Sequence, residues 1–480
     1  MKARRRWTVL PPLAVCALLA GWLALSVINA RAIGFSILIF AVANLIVYTD
    51  ALDFALRLYM RRRQTAGTPG IPGSDQGKDV SIDLDAIAPA DSRLEVPASP
   101  YAIVASIFNL EDYIDDFIEA FGPYRDRVWL ISDGSTDNTV LRLTQAGWRC
   151  FDDGINRRKP GAIRRLLERI PNHIETIMVI DPDIRIRSPS EGSFIDLNHF
   201  VSDFQQSDAA AACPRIMIEP DGFLARFQSF EYALAFCVGR RSLSDFSITS
   251  GCVSIYRRSA LTRVLNEHSL SVYAEDLENA MILLGHGERI YYDGRLVIST
   301  EGPRTLSRWF SQRVGWYHGL VRVYVERFSE VLRVSRRSPF AFYHYLVYVG
   351  VLSLAMHLVK AVSAVVLVLS LFSGLDALLL DNIVPQQNLL NPEYFTAAIS
   401  SYLALGVIAL FTVVPKAERP YAAPIVPLYL CYALVHIVPM TLGFANYFAL
   451  KLFGRRVYHD HYERRPERSV VEAEKMGLTR

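Results

Sequence analysis

Four short groups of residues in the middle of this chain carry side chains suited to chemistry, and they occur in a fixed order. They are Ser132-Asp133-Gly134, Asp181-Pro182-Asp183, Glu275-Asp276 and Gln312-Arg313-Val314-Gly315-Trp316. Asp181 and Asp183 follow the apolar run 177–180, which reads as a strand. Two carboxylates at i and i+2 beside a strand end can face one hard cation. Mg2+ or Mn2+ takes oxygen ligands and keeps positions open for phosphate oxygens. A departing pyrophosphate needs such neutralisation. An ordinary Asp-Pro turn has the same sequence. Asp133 closes a second strand and can accept a hydrogen bond from a uracil or a ribose, whereas Asp137 and Asn138 read equally as helix caps.

Glu275-Asp276 opens the helical run 277–284. A carboxylate there is either a cap or a general base that takes the proton of an attacking acceptor hydroxyl. Lys159, in Arg157-Arg158-Lys159-Pro160-Gly161-Ala162, suits a phosphate or a solvated basic loop. Gln312, Arg313 and Trp316 lie in 304–337, an amphipathic basic and aromatic segment. Such a segment suits a membrane surface, and a Trp beside the base can also stack on a sugar ring. Lys360 lies at membrane depth, where an ionisable group is either functional or snorkels to the headgroups.

The elements that must position these groups follow from periodicity. Runs 101–107, 127–132 and 176–180 read as buried strands, with helical patterns near 110–121, 138–146 and 160–169. Strands alternating with helices predict an α/β domain with a mostly parallel sheet. Ligands of such sheets bind at the carboxyl ends of strands, where Asn109, Asp133, Asp181 and Asp183 fall.

Apolar segments frame this domain. The chain has 480 residues, 51% of them hydrophobic, and a mean hydropathy of +0.20, which points to a membrane protein. Residues 7–27 are apolar behind a basic start and also resemble a signal peptide. The run 33–48 follows, and the pair reads as a transmembrane hairpin over 1–60 with both ends inside. A linker rich in Pro, Gly, Ser and Asp is expected over 61–99. The catalytic domain is expected over 100–303, amphipathic interface helices over 304–338, transmembrane helices over 339–453 and a basic cytoplasmic tail over 454–480. Spans are expected at 340–371 and 394–414. The stretch 422–453 reads as a short hairpin or re-entrant pair broken by Pro427 and Pro439.

Net charge is +3, and arginines cluster beside apolar segments, as expected of cytoplasmic ends. No basic face interleaved with aromatics suggests a nucleic-acid partner. The six cysteines show no metal-ligand or disulfide spacing, which suits a reducing compartment. The expected localisation is therefore a multi-pass cell membrane protein with its central domain in the cytoplasm.

With these residues in hand, the chain resembles the membrane-embedded family 2 inverting glycosyltransferases, a group that includes cellulose, chitin, hyaluronan and poly-N-acetylglucosamine synthases. The resemblance covers roughly 100–320. It is carried by Asn109-Leu110-Glu111, Asp133-Gly134, Lys159-Pro160-Gly161-Ala162-Ile163, Asp181-Pro182-Asp183, Gln228 with Glu231-Tyr232, Ser250-Gly251 with Arg257-Arg258, Ala274-Glu275-Asp276, and Gln312 to Trp316. It implies a GT-A-type domain flanked by transmembrane helices. It also implies a UDP-sugar donor held by Asn109, Glu111, Asp133, Lys159, Asp181, Gln312, Arg313 and Trp316. Mg2+ or Mn2+ would sit on Asp181 and Asp183, and Asp276, with Glu275 beside it, would be the catalytic base. The implied partners are a polysaccharide or lipid acceptor and membrane lipids. One departure stands out: Gly315 replaces the arginine of the family's Gln-x-x-Arg-Trp pattern. Either Arg313, Arg308 or Arg322 takes over its phosphate contact or the enzyme is slow or altered, and an arginine introduced at 315 is expected to restore the contact unless another arginine already fills that space.

Overall fold

The computed structural model describes residues 44–64, 99–243, 245–271, 273–379 and 392–459. The first expected span, most of the linker and the end of the tail lie outside the described residues. The chain divides into two compact units, one of residues 1–62 with 347–441 and one of residues 63–346 with 442–480.

The first described helix is α1 (Leu45–Gln64). The larger unit then alternates strand and helix. In order come β1 (Tyr101–Ile107), α2 (Ile114–Phe121), β2 (Val128–Ser132), α3 (Thr139–Gln145), β3 (Cys150–Phe151), α4 (Arg158–Leu167), β4 (Thr176–Ile180) and β5 (Ile184–Ile186). Next come α5 (Leu197–Gln206), β6 (Ala211–Ile218), α6 (Phe223–Leu234), β7 (Val253–Arg257), α7 (Arg258–Glu267), α8 (Glu275–Gly285) and β8 (Ile290–Thr300). Helices α9 (Leu306–Glu326) and α10 (Phe328–Ser335) complete the series.

The eight strands form one sheet in the order β3-β2-β1-β4-β7-β6-β8-β5. The half from β3 to β4 is wholly parallel. Strand β7 then runs antiparallel to both β4 and β6, β6 and β8 are parallel, and β5 is an antiparallel edge on β8. The expected α/β sheet is present, with its parallel part concentrated on the side that carries β1, β2 and β4.

The reason is visible in the strands. Residues of β1 are buried almost without interruption, as expected for a strand covered on both faces. Its Ile103 and Ile107 join Leu130, Met178, Phe117, Phe200, Ile255 and Ile298 in one core. Helix α4 packs on β1 and β2, and α7 on β4 and β7. Helix α8 packs against α7, α9 and α10, so the helix that begins with Glu275-Asp276 is held by the 306–335 segment.

In the smaller unit, α11 (His357–Leu379) and α12 (Pro392–Thr412) share an apolar cluster with α1. That cluster joins Ile46 and Val47 to Leu367, Ala398, Tyr402 and Leu430. Asp50 accepts a hydrogen bond from Tyr402 and lies within electrostatic range of Lys360. Among the described residues two helical runs are long and apolar enough to cross a membrane, Glu393–Thr412 and Lys416–Phe453. Pro339–Ala355 and His357–Ser373 pass the same test only as a pair, bent by 54°. The sequence predicts a span over 340–371, where the structure has this bent pair, and a hairpin or re-entrant pair over 422–453, which lies within the longer of the two runs. Pro427 is accommodated in a tight 3-10 stretch, Ala423–Leu428, inside one 38-residue helical run.

Candidate active site

The carboxyl ends of the parallel strands bring several of the expected residues together. Strand β4 pairs with β1 and β7, which fixes its last residues from both sides. Immediately after it, the Asp181 backbone N–H donates to the Cys252 carbonyl at 2.7 Å. Lys159, near the start of α4, donates from Nζ to Asp181 Oδ1 at 2.6 Å and also to the Gly251 carbonyl. The same ammonium lies 3.7 Å from Glu275 Oε1. Lys159, Asp181, Gly251 and Glu275 therefore meet in one cluster beyond the end of β4. Asp276 borders it: a Cβ at Gly251 would lie 3.4 Å from Glu275 Oε1 and 3.9 Å from the Asp276 carboxyl carbon.

Asp133 is buried after β2, and its Oδ1 accepts the Arg157 backbone N–H at 2.5 Å. This bond ties the β2 end to the loop that leads into α4 and Lys159. Gly134 has φ +76° and no room beside the Asn156 backbone, so a side chain there would be strained as well as crowded.

Asn109 and Glu111 lie in the loop after β1. Asn109 Oδ1 accepts from the Thr136 N–H at 2.8 Å, and Glu111 accepts from Asn138 through its backbone and its side chain. Both residues link the loops after β1 and β2. Asp137 accepts from the Thr139 and Glu111 N–H groups, so the capping role weighed for it is present.

The electrostatics are those of crowded acids around one cation. Burial opposes the Lys159 charge, but Asp181 and Glu275 outweigh it and hold its pKa above the ordinary lysine value. Burial pushes the Glu275 carboxyl up to about 7; Lys159 lowers it, while Asp276 and Asp181 raise it. Asp183 is held above the usual carboxylate range by the surrounding protein and by the Asp181 charge. Among the described residues no group of three or more His, Cys, Asp or Glu side chains is placed to hold a metal ion. The Asp181 and Asp183 carboxylates repel one another and are hard oxygen donors of the kind that Mg2+ or Mn2+ takes.

The Gln312–Trp316 group behaves differently. Arg313 is buried on α9 and donates to both oxygens of Glu231 at 2.8 Å, a bidentate pair. Its guanidinium lies 4.2 Å from the Trp316 ring centroid and 5.7 Å from that of Trp309. Gln312 is half-buried and Trp316 exposed. Gly315 has no space for a side chain: a Cβ there would sit 2.4 Å from the Tyr273 ring. The position of the family arginine is therefore filled by Tyr273 and not by another arginine. Of the three proposed substitutes, Arg313 is committed to Glu231 and Arg322 to Glu278. Arg308 is exposed at the start of α9.

Sequence reasoning missed Glu278. It is fully buried, accepts from Arg322 at 2.7 Å and from Arg327 at 2.9 Å, and bonds the backbone and hydroxyl of Ser269. Burial opposes its charge; His268, Ser269 and Arg322 outweigh it and hold the carboxyl down at about 2. The available signal was one acid inside the apolar run Leu277-Glu278-Asn279-Ala280-Met281-Ile282, which demands a partner when the helix is buried. Just ahead of α8, Ala274 has φ 55° and ψ 39° with no side-chain cap. That conformation costs a non-glycine residue roughly 1–2 kcal/mol. Arg257 and Arg258, which help to carry the resemblance, bond backbone carbonyls: Arg257 those of Ala209 and Ser207, Arg258 those of Leu167, Ile170, Pro171 and Ile174.

Comparison with known proteins adds the identity. Residues 176–436, more than half of the chain, match glycosyl transferase family group 2. The match contains Asp181, Asp183, Glu231, Glu275, Asp276 and α9, while β1 to β3 precede it. Chitin synthase chs-1 of Caenorhabditis elegans is 27% identical over 187 residues, 36% of this chain and 14% of that protein. The chain thus spans about a seventh of that relative. A mannosyltransferase of Pyrobaculum calidifontis, solved with GDP-Man and Mn2+, is 17% identical with a TM-score of 0.47, covering 83% of this chain and 99% of its own. Glucosyl-3-phosphoglycerate synthase of Mycobacterium tuberculosis, solved with Mn2+, UDP and phosphoglyceric acid, is 16% identical with a TM-score of 0.31, covering 51% and 80%. Assignment rests on the family match: the chain belongs to glycosyl transferase family group 2.

Proposed function

We propose that this protein is a multi-pass membrane glycosyltransferase that moves a sugar from a UDP-sugar to a growing β-linked polysaccharide, with inversion and with passage of the product through the membrane. The observation that carries this reading is the convergence of Lys159, Asp181 and Glu275-Asp276 in one cluster at the end of β4.

The chemistry follows from the donor. An acceptor hydroxyl oxygen bonds to the anomeric carbon while the bond from that carbon to the diphosphate oxygen breaks. Asp276 takes the hydroxyl proton, and the diphosphate leaves with the bonding electrons. A carboxylate within hydrogen-bond reach of that proton suits this role. Mg2+ or Mn2+ held by Asp181 and Asp183 would neutralise the leaving diphosphate. Asp133 and Lys159, with the Asn109 and Glu111 loop, would bound the donor, and Gln312, Arg313 and Trp316 would line its far side. Arg313 contributes there as the partner of Glu231 that keeps Trp316 in place.

The second reading is a single transfer to a membrane lipid. Gly315 favours it, because an arginine of the family's polysaccharide-synthase pattern is absent and its space is closed by Tyr273. Purified protein in proteoliposomes, given a panel of UDP-sugars with Mg2+ or Mn2+, separates the two. Products many sugars long support the first reading, one sugar on an extractable lipid supports the second, and no turnover of any UDP-sugar contradicts both. The apolar helical runs and their arginine-rich ends support a cytoplasmic catalytic domain.

A further inference from the structure

The start of α8 is held in an unusual way. Ala274 is left-handed and caps the helix without a side-chain hydrogen bond. Such a corner persists only where its surroundings over-determine it, and here the surroundings are one stripe of α9. Gly315, Gly319 and Arg322 are spaced by four and three residues and so share one helix face. At Gly315 the Tyr273 ring lies where a Cβ would be. At Gly319 a Cβ would sit 2.6 Å from Ala274 Cβ and 2.8 Å from the Tyr273 carbonyl carbon. Arg322 closes the stripe. Its Nη2 donates to the Tyr273 carbonyl at 3.1 Å, and its Nη1 donates to Glu278 Oε2 and Ser269 Oγ, both at 2.7 Å. One guanidinium thus joins the residue before the corner to the first turn of the helix after it.

We propose that Arg322, seated by Gly315 and Gly319, is a positioning residue for the base: it clamps the Tyr273-Ala274 corner and so fixes the direction in which Glu275 and Asp276 leave it. The inference rests on the assignment of Asp276 as the base. It gives Gly315 a role of its own, since the missing arginine leaves room for Tyr273 to dock. It also gives Glu278 a function, as the carboxylate that orients the guanidinium from below. The Thr249 hydroxyl, which donates to the Asp276 carbonyl at 2.6 Å, steadies the same turn from the other side.

A clamp and a plain ion pair differ in what a conservative change does. Arg322→Lys keeps a cation beside Glu278, but a compact ammonium cannot reproduce the fork that also reaches the Tyr273 carbonyl. Full-length protein in proteoliposomes, assayed with the UDP-sugar that gives the highest turnover, is expected to lose about ten- to a hundredfold in kcat. The donor KM, the UDP-binding stoichiometry and the thermal midpoint are expected to stay at wild-type values. A second variant, Gly319→Ala, presses a Cβ on the corner and is expected to lower kcat at wild-type donor KM and UDP-binding stoichiometry, with a lower thermal midpoint from overpacking, if Arg322→Lys does not fold. Wild-type kcat in either folded variant overturns the proposal. So does a fall in kcat matched by an equal fall in UDP-binding stoichiometry, since that reports lost folded protein. Asp276→Asn, run alongside, separates the two failures: full transfer by it removes the base assignment itself, whereas impaired transfer by it with unimpaired Arg322→Lys removes the clamp alone.

Discussion

The two halves of the site are built on different kinds of support. On the strand side, Asp133, Asp181 and Asp183 leave the ends of β2 and β4, whose backbones are locked by neighbouring strands. Asp181 bonds Lys159, and Asp133 accepts from the Arg157 backbone. On the helix side, Arg313 and Arg322 project from α9 and each pairs with an acid, half-buried Glu231 and fully buried Glu278. In the proposed reading the strand-end acids meet the donor and its cation, whereas the two helix-face arginines are taken up by acids of the fold itself. The comparison teaches that charge counted along a sequence overstates what a donor can meet.

The largest expected effect lies on the strand side. Asp181→Ala and Asp183→Ala should each abolish divalent-dependent donor turnover, a loss on the order of a thousandfold or more, given the several kcal/mol a metal supplies to a developing charge. Expression and folding should survive, because Asp183 is exposed and Asp181 meets only Lys159 and a backbone carbonyl through the bonds described above. Metal-titrated turnover of the two variants is the measurement. A wild-type metal response in either would erase the contrast between the halves.

On the helix side, Gly315→Arg should not restore a phosphate contact. Even a Cβ there meets the Tyr273 ring, and overpacking costs about 1–3 kcal/mol or more. The expected result is a lower thermal midpoint with UDP affinity no better than wild type. Tighter UDP binding by a stable Gly315→Arg variant would show that the helix face does reach the donor.

The smallest effect is one of pH. The Glu278 carboxyl is held at about 2 against an ordinary 4.5. A depressed folded-state pKa means that the carboxylate's contribution is complete above about pH 4.5 and is lost as pH falls toward 2. The size is on the order of 1–3 kcal/mol. Thermal midpoints measured from pH 6 down to pH 3 should fall more steeply for wild type than for Glu278→Gln. Parallel curves would mean that this acid contributes nothing through its charge.

How much was legible in the sequence follows the same division. Apolar runs ending in Asp133 and Asp181 gave the strands and the acids at their ends, because strand-end placement is a local property with a period of two. The Lys159 contact with Asp181 was legible only as an available cation, since the approach depends on how α4 returns to β1 and β2. On α9 the local pattern misled. Arg313, Arg308 and Arg322 all carry the charge of a missing arginine, yet Arg313 and Arg322 pair with acids of α6 and α8, and no periodicity in α9 reports those partners. Gly315 read as a loss, whereas it is the space that Tyr273 needs. At 422–453 proline reads as a break, and Pro427 fits a 3-10 turn inside the longer helical run.

The central claim is that Asp276, in the cluster shared with Lys159 and Asp181, takes the acceptor's proton. Asp276→Asn keeps the shape of the side chain and removes its basicity. Sugar transfer and UDP affinity measured on the same proteoliposome preparation test the claim most directly. The account predicts a fall of about a hundredfold to ten-thousandfold in transfer with UDP affinity unchanged. Transfer at the full wild-type rate would contradict it and move the base to Glu275.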